Sequence, residues 1–161
     1  MRNALIATLS TIFLPGGAVV LVPYAILQAT AASPIAQLGP IEVGSLILAF
    51  VGLSMVIWVS IAFVAHGKGT PAPIEPPKIF VARGLYRFLR NPMYFGALLT
   101  IFAEAIFFHS AWLMAYGVIL WLALHTATVF FEEPQLEGRF GESYRLYKAR
   151  TPRWFPRPPR S

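Results

Sequence analysis

The sequence predicts an all-α integral membrane protein with about four transmembrane helices, and three observations support this prediction. Of the 161 residues, 57% are hydrophobic and only 12% are charged, whereas about 25% are charged in a typical soluble domain. Four apolar segments follow one another along the chain, and the basic residues are confined to alternate connections between them. We expect one membrane domain over residues 1–161, with two N-terminal spans in residues 1–65 and a catalytic core in residues 66–158.

The length of each apolar segment indicates whether it can cross the bilayer. Ala4–Leu27, Val43–Ala65 and Ala111–Phe131 each have the roughly 20 residues that a helix needs to cross about 30 Å of hydrocarbon. Met93–Phe108 is shorter, so a helix that spans the membrane there must include flanking residues or thin the bilayer locally. Because only His109-Ser110 separates it from the last segment, we expect these two helices to form a tight antiparallel hairpin.

The first segment carries signals that compete with a simple span. Pro15-Gly16-Gly17 and Pro23 predict a kinked or broken helix. Arg2, the apolar run and Ala29-Thr30-Ala31 together resemble a cleavable signal peptide. The run is much longer than the usual apolar stretch of about 7–15 residues in such peptides, which favours a retained helix.

Polar stretches flank the last two apolar segments. Gly67–Arg83 is rich in Pro and Gly and predicts a non-helical connection, while Ile79–Leu89 has the pattern of a short interfacial helix. Asn91 suits the N-cap of the third helix, and Pro92 suits its first position. In the tail, residues at helical spacing predict an amphipathic helix that Thr151-Pro152 ends. Its apolar and aromatic positions are Leu136, Phe140, Tyr144 and Tyr147.

The thirteen Lys and Arg residues indicate the orientation of the helices. One precedes the first segment, five lie in the loop His66–Pro92, and seven follow Phe131. The loop Gln28–Glu42 and the hairpin turn have none. All thirteen lie on one side if every segment spans, so we expect both termini and the active site to be cytoplasmic. The net charge of +6 then reflects topology and attraction to anionic membrane lipid, and no nucleic-acid partner is expected.

The composition excludes several kinds of chemistry. The chain has no Cys and no Asp, since all seven acidic residues are Glu. Disulfides, thiolate nucleophiles and metal sites built on clustered aspartates are therefore absent. His66, His109 and His125 are far apart in the sequence and show no metal-ligand spacing, so we expect no metal.

Two ionisable residues lie within the apolar segments. Glu104 is midway along the third, and His125 is in the fourth at a spacing that puts it on one helix face with Thr128 and Glu132. Ionisable groups at this depth are functional candidates by default. Each also has a structural alternative, in which it ties helices together through hydrogen bonds or the two pair with each other.

Further polar residues lie at the edges of the last two segments. The stretch from Arg90 to Gly96 opens the third, and Glu132-Glu133 follows the fourth. Paired carboxylates beside hydrocarbon cost free energy unless cations or hydrogen-bond donors meet them. These residues therefore predict a polar-ligand site at a membrane surface and favour an enzyme.

An ordered set of short motifs over about residues 66–158 resembles the membrane methyltransferase superfamily that includes isoprenylcysteine carboxyl methyltransferases and phospholipid N-methyltransferases. The motifs are Gly84-x-Tyr86, Arg90-Asn91-Pro92-x-Tyr94-x-Gly96, Glu132-Glu133-x-x-Leu136, Phe140-Gly141-x-x-Tyr144-x-x-Tyr147 and Pro152-Arg153. The usual family motif reads Arg-His-Pro, and here Asn91 replaces the His. Asn can hydrogen-bond but cannot carry a proton near neutral pH, so an acid or base role at this position is in doubt.

The resemblance implies S-adenosyl-L-methionine as cofactor, bound on the cytoplasmic side by the last two spans and the tail. Carboxylates suit its ammonium and hydroxyl groups, a guanidinium suits its carboxylate, and tyrosine rings can lie against adenine or the sulfonium. The expected cofactor-binding residues are Arg90, Asn91, Pro92, Tyr94, Gly96, Glu132, Glu133, Tyr144 and Tyr147. His125 and Glu104 are expected to border the acceptor chamber as catalytic residues, where His125 orients the acceptor or takes its proton.

The methyl acceptor stays open at this point. A membrane lipid or another lipophilic or small molecule with a carboxylate, thiol, amine or phospholipid head group fits the residues equally well. Two other classes compete with the enzyme. One is a four-helix proton-coupled small-molecule exporter that uses Glu104, and the other is a non-catalytic membrane assembly or sensor subunit.

Overall fold

The computed structural model describes residues 16–30, 38–66 and 84–158, and most of these residues are helical. Within these ranges there is no strand, so the all-α prediction is confirmed for them. The helices are α1 (Gly17–Ala29), α2 (Pro40–His66), α3 (Pro92–Phe107), α4 (Ala111–Phe140) and α5 (Glu142–Arg150). A 3-10 turn, Gly84–Arg87, precedes α3.

Two of the helices are long and apolar enough to cross a membrane, Pro40–Ala62 within α2 and Ala111–Phe140 as α4. α1 and α3 are apolar but shorter, so the count of four spans stays a prediction. Large apolar side chains on the outer face of α2, such as Phe50 and Ile61, are exposed. A continuous surface of this kind is unusual for a soluble monomer, and lipid would cover it.

Several predictions concern residues outside the described ranges. Half of the first predicted segment, residues 4–15, lies there, as do Arg2 and Ala31 of the signal-peptide alternative and the loop Gly67–Arg83. Only part of the predicted interfacial helix Ile79–Leu89 is described, and its residues Gly84–Arg87 form a 3-10 turn. Gly84 has φ +56°, and a Cβ there would overlap the ring of Trp58 on α2, so a glycine is required at this contact.

α2 and α3 cross at two glycines. A Cβ at Gly52 would lie 2.6 Å from the Gly96 carbonyl oxygen and 2.5 Å from Thr100 Oγ1, and a Cβ at Gly96 would lie 2.7 Å from the Gly52 oxygen. Small residues let helix backbones approach closely, which is how helices associate where lipid removes the hydrophobic driving force. α1 and α4 add to the core beside this crossing through Val19 and Tyr116.

The predicted hairpin between α3 and α4 is present. Ser110 caps α4 by accepting a hydrogen bond from the Leu113 amide at 3.3 Å, and His109 turns the chain with φ +48°. His109 Nε2 lies 2.9 Å from Glu42 Oε1 near the start of α2. We call this the hairpin end of the bundle, and the opposite end, where α3 begins, the charged end.

The described helices contain two π-helical turns, each shortly before a proline. Gly17–Leu21 precedes Pro23 in α1, and Thr128–Glu132 precedes Pro134 in α4. A proline removes one backbone donor and its ring crowds the carbonyl four residues earlier, so a widened turn relieves the clash without ending the helix. The sequence predicted a kinked or broken helix around Pro23, and the structure has a π-helical turn there; the turn in α4 was not expected.

The tail is helical but not one helix. The predicted amphipathic helix over Leu136–Tyr147 is broken at Gly141, which has φ +54°, and this part of the prediction is wrong. A glycine adopts this left-handed backbone at little cost. The break lets α5 turn back against the charged end, and the chain leaves the helix at Thr151 as predicted.

Candidate active site

Glu133 is the centre of an ion-pair cluster at the charged end. Its Oε1 lies 2.7 Å from Arg90 Nη1 and 2.7 Å from Arg153 Nε, and its Oε2 lies 3.0 Å from Arg153 Nη2. Lys148 Nζ is 3.6 Å from the same Oε2. Only 5% of the Glu133 side chain and 10% of the Arg90 side chain are exposed. One buried carboxylate therefore contacts three cations, of which Lys148 is shared with Glu137 Oε2 at 3.2 Å.

Glu132 faces a different neighbour, although it is the adjacent residue. Its Oε1 accepts a hydrogen bond from the Tyr94 hydroxyl at 2.5 Å. Glu132 is half-buried, and within the described ranges Tyr94 is its one hydrogen-bond partner. Glu132 therefore keeps acceptor capacity for a ligand, whereas the oxygens of Glu133 are occupied by cations.

The segment 151–157 forms a strap across the charged end. The Arg90 amide donates to the Pro152 carbonyl at 2.9 Å, and the Arg157 amide donates to the Phe88 carbonyl at 3.1 Å. Asn91 Nδ2 donates to the Arg153 carbonyl at 3.3 Å. These bonds fix the strap beside the start of α3 and bring Arg153 to Glu133.

Arg90 is held on several sides but keeps one unused donor. Its Nε is buried and has no hydrogen-bond partner within the described ranges. Tyr144, which is only 2% exposed, packs beside it. Burial raises the pKa of the Tyr144 hydroxyl, and the negative charge of Glu133 raises it further. A neutral phenol therefore supports the guanidinium from within the protein.

Two more tyrosines line the charged end. The Tyr147 hydroxyl donates to the Tyr86 carbonyl at 2.8 Å, which ties α5 to the 3-10 turn. Burial raises the pKa of Tyr86 to about 12, and the charge of Glu132 adds to this shift. Burial also raises the pKa of Tyr147. Both phenols stay protonated at neutral pH, so they serve as hydrogen-bond donors and apolar walls.

The remaining motif residues have mainly structural contacts. Pro92 is buried at the first position of α3, as predicted. Asn91 occupies the N-cap position, but its side chain makes no capping hydrogen bond and holds the strap instead. Gly96 lies in the crossing with α2, and this contact explains the glycine without a ligand.

The two candidate catalytic residues lie far apart. Glu104 is near the hairpin end of α3, with one carboxylate oxygen buried and unpartnered among the described residues. His125 lies toward the charged end of α4, where its Nδ1 accepts a hydrogen bond from Trp154 Nε1 at 2.9 Å. In an antiparallel hairpin centred near residue 109, their heights differ by about 16 Å. The two therefore do not pair with each other.

Sequence reasoning missed two members of the cluster, Lys148 and Arg153, and it also missed Trp154, which contacts His125. Pro152-Arg153 appeared among the resembling motifs, but no spacing rule connected it with Glu133, which is 20 residues earlier. An unpaired buried carboxylate next to a basic tail was the available signal, since such a carboxylate needs cations to compensate its burial.

The arrangement suits a zwitterionic ligand. The partly exposed Lys148 and Arg153, with Arg90 beside them, can meet a carboxylate, and Glu132 can meet an ammonium or hydroxyl groups. Within the part of the chain that the structure describes, no group of three His or Glu side chains is placed to hold a metal ion.

Comparison with known proteins identifies the family. No curated protein and no solved structure matches the chain. A family model described as phospholipid methyltransferase matches residues 42–143, which is more than half of the chain. The match includes Arg90, Glu132 and Glu133 and stops before the strap. The chain therefore belongs to the phospholipid methyltransferase family.

Proposed function

We propose that this protein transfers the methyl group of S-adenosyl-L-methionine to a lipophilic acceptor at the cytoplasmic face of a membrane. Family membership implies a membrane methyltransferase, and members of the family generally use this cofactor. The proposal rests on a contrast between two adjacent carboxylates. One has its oxygens occupied by cations of the protein, and the other can still accept hydrogen bonds from a ligand. Glu133 is saturated by cations, while Glu132 beside it is held only by Tyr94 among the described residues.

The residues at the charged end fit the polar groups of the cofactor. When bound, S-adenosyl-L-methionine supplies a methyl group already activated on a sulfonium. Glu132 accepts hydrogen bonds from an ammonium or ribose hydroxyls, and Arg90 meets a carboxylate with its planar donors. Tyr94 fixes the orientation of the Glu132 carboxylate. Tyr147, which is half-buried and protonated, offers an apolar wall against which an adenine can lie, and the buried Tyr144 supports Arg90 behind it.

Glu133 has a different role from the one expected for a direct ligand. It gathers Arg90, Lys148 and Arg153 into one place, where their like charges would otherwise repel. Asn91 and Pro92 fix the start of α3 and the strap, and Gly96 fixes the crossing of α2 and α3. These residues position the cofactor site, and Arg90, Glu132 and Tyr94 touch the cofactor.

Positioning supplies most of the catalysis, because the methyl donor is already reactive. A site that holds donor and acceptor in line and excludes water removes much of the entropic barrier. The acceptor enters from the bilayer between the apolar helices, and the polar cofactor enters from the cytoplasm. We propose a phospholipid head group as the acceptor, with His125 and Glu104 bordering its path on α4 and α3. No observation on the described residues favours the exporter.

A methyl-transfer assay on the purified protein tests this function. The full chain is placed in vesicles of phosphatidylethanolamine and phosphatidylcholine with methyl-labelled cofactor, and label is followed into the lipid fraction. Parallel reactions replace phosphatidylethanolamine with a prenylated cysteine or a long-chain thiol. Label in one acceptor that disappears in Glu132→Gln supports the proposal. Glu142→Gln is the matched control, because its carboxylate is 72% exposed. An absence of transfer to all three acceptors, with no cofactor binding by calorimetry, would refute it.

The orientation is tested separately. Reporter fusions after residue 161 and within the Gln28–Glu42 loop distinguish the two sides of the membrane. We expect the former to report a cytoplasmic location and the latter the opposite side, because every basic residue lies on one side if all four predicted segments span. A C-terminus outside the cytoplasm would contradict the proposed route of cofactor entry.

A further inference from the structure

His125 and two indole rings form a compact group on the flank of α4. The His125 and Trp154 rings are stacked, with centroids 6.0 Å apart, and the Trp121 ring lies 5.5 Å from His125. The Trp154 indole Nε1 donates a hydrogen bond to His125 Nδ1 at 2.9 Å. Trp121 packs against the imidazole and makes no hydrogen bond to it.

The direction of this hydrogen bond determines where the imidazole carries its proton. An indole N–H can only donate, so His125 Nδ1 must be the unprotonated nitrogen. The neutral ring then carries its hydrogen on Nε2. With Nδ1 accepting from the indole and Nε2 carrying the hydrogen, the ring presents a hydrogen-bond donor to a ligand and no free lone pair. His125 is thereby held as a donor rather than as a general base.

The donor on Nε2 is available for a ligand. Within the described ranges His125 makes no other hydrogen bond. Its position lies seven residues before Glu132 on the same helix, about 10 Å deeper along the axis. A lipid whose reactive atom reaches the charged end would place oxygen atoms of its head group or ester region at this depth.

We infer that Trp154 is a positioning residue which fixes His125 as an Nε2–H donor to an oxygen atom of the methyl acceptor. The accepting atom is an anionic or carbonyl oxygen, which a phosphate, an ester or a carboxylate can each supply. The inference rests on the proposed function for its acceptor, but the state of the imidazole does not depend on it. Trp154 follows Arg153 directly, so the strap reaches both the cofactor site and the acceptor path.

Nitrogen NMR of histidine tests the state of the ring without any turnover. The full chain is labelled with 15N-histidine in lipid nanodiscs, and the His125 signals are assigned by their loss in His125→Gln. We expect the wild type to show one neutral form protonated at Nε2. Trp154→Phe keeps an aromatic ring but removes the donor, so both neutral forms should appear. Trp121→Phe is the matched control, and it should leave the single form intact.

The spectra can overturn the inference in two ways. His125 protonated at Nδ1 in the wild type would contradict the hydrogen-bond direction. Equal effects of Trp154→Phe and Trp121→Phe would show that packing, rather than the indole donor, controls the ring. Neither result depends on methyl transfer, so a failure here is distinct from a failure of the proposed function.

Activity distinguishes a donor from a base. Gln can donate a hydrogen bond from a position close to Nε2 but cannot take a proton near neutral pH. We expect His125→Leu to lower kcat/KM for phosphatidylethanolamine vesicles or prenylated cysteine by about ten- to a hundredfold, as loss of a hydrogen bond to a charged group does. His125→Gln should recover most of this loss, with cofactor affinity unchanged in both variants. Equal loss in Gln and Leu, with both variants folded and binding cofactor, would refute the donor role.

Discussion

The two ends of the bundle use a buried glutamate in opposite ways. At the hairpin end, Glu42 accepts a hydrogen bond from the Gly39 amide at 2.8 Å and meets one imidazole, whose side chain is 64% exposed. At the charged end, Glu133 meets two guanidiniums and an ammonium and is almost fully buried. The same carboxylate chemistry thus closes a turn at one end and organises a site at the other.

The difference lies in the partners more than in the glutamates. An exposed partner such as His109 can turn to water when its pair is lost, so the pair contributes little. Arg90 has no such alternative, because its guanidinium is buried under Tyr144 and the strap. Removing one charged group at the charged end should therefore cost more folding stability, because its partners stay buried without an opposite charge.

The largest expected effect comes from removing the central carboxylate of the charged end. Glu133→Gln leaves Arg90 and Arg153 without a compensating charge, so we expect the free energy of unfolding to fall by about 3–5 kcal/mol. Denaturant unfolding of the purified protein in detergent micelles measures this change. Glu142→Gln serves as the control, and an equally small change in both variants would show that the cluster is not structurally coupled.

A substitution at Glu132 should weaken cofactor binding while leaving the stability of the protein almost unchanged. Because Glu132→Gln removes a charge that only Tyr94 contacts among the described residues, we expect cofactor affinity to fall about ten- to a hundredfold. The free energy of unfolding should change by less than about 1 kcal/mol. Calorimetric titration with the demethylated cofactor, alongside unfolding, checks both. If Glu132→Gln binds normally and Glu133→Gln does not, the assignments of the two residues are exchanged.

A substitution at the crossing of α2 and α3 should have an intermediate effect on the free energy of unfolding. Gly52→Ala places a methyl group against the Gly96 carbonyl and Thr100, so α2 and α3 must separate. We expect a loss of about 1–3 kcal/mol in the free energy of unfolding. Gly44→Ala is the control on the same helix, since nothing lies within 4 Å of the new methyl group. Its helix propensity should make it neutral or stabilising, and equal destabilisation by both would argue against the close crossing.

The smallest effect is expected at the hairpin end. His109→Asn suits the positive φ and removes the exposed pair with Glu42, so unfolding should change by less than about 1 kcal/mol. Methyl transfer should stay at the wild-type rate. A loss of stability close to that of Glu133→Gln would remove the contrast between the ends.

The sequence was informative where local pattern and chemistry coincide. The α3–α4 hairpin follows from two apolar runs separated by two polar residues. The need of carboxylates beside hydrocarbon for cations or donors predicted one polar site with Arg90 and Glu133, although their direct ion pair was not predicted. The assignment of Glu133 as a direct cofactor ligand rested on residue type alone. It could not reveal that three cations of the same chain occupy its oxygens.

The strap shows why the other contacts of the site could not be predicted from the sequence. Arg153 and Trp154 reach Glu133 and His125 only because backbone bonds at Pro152 and Arg157 fix the segment beside Phe88 and Arg90. Such pairing depends on tertiary position and leaves no periodic signal. The break at Gly141 was missed for a related reason, because the spacing of apolar residues continues through it.

The π-helical turn Thr128–Glu132 has a consequence for residue number as well as shape. A π-helical turn holds one more residue than the α-helical turn that it replaces. Rewinding this turn as ordinary α-helix without deleting a residue, for example after replacing Pro134, would rotate everything upstream relative to Glu132 by roughly 100°. His125 and its indole partner would then leave the face that they share with the strap, although no side chain that contacts a ligand had been altered. Deleting one residue as well would restore the alignment, so the relative orientation of the two halves of the site depends on this turn holding one extra residue.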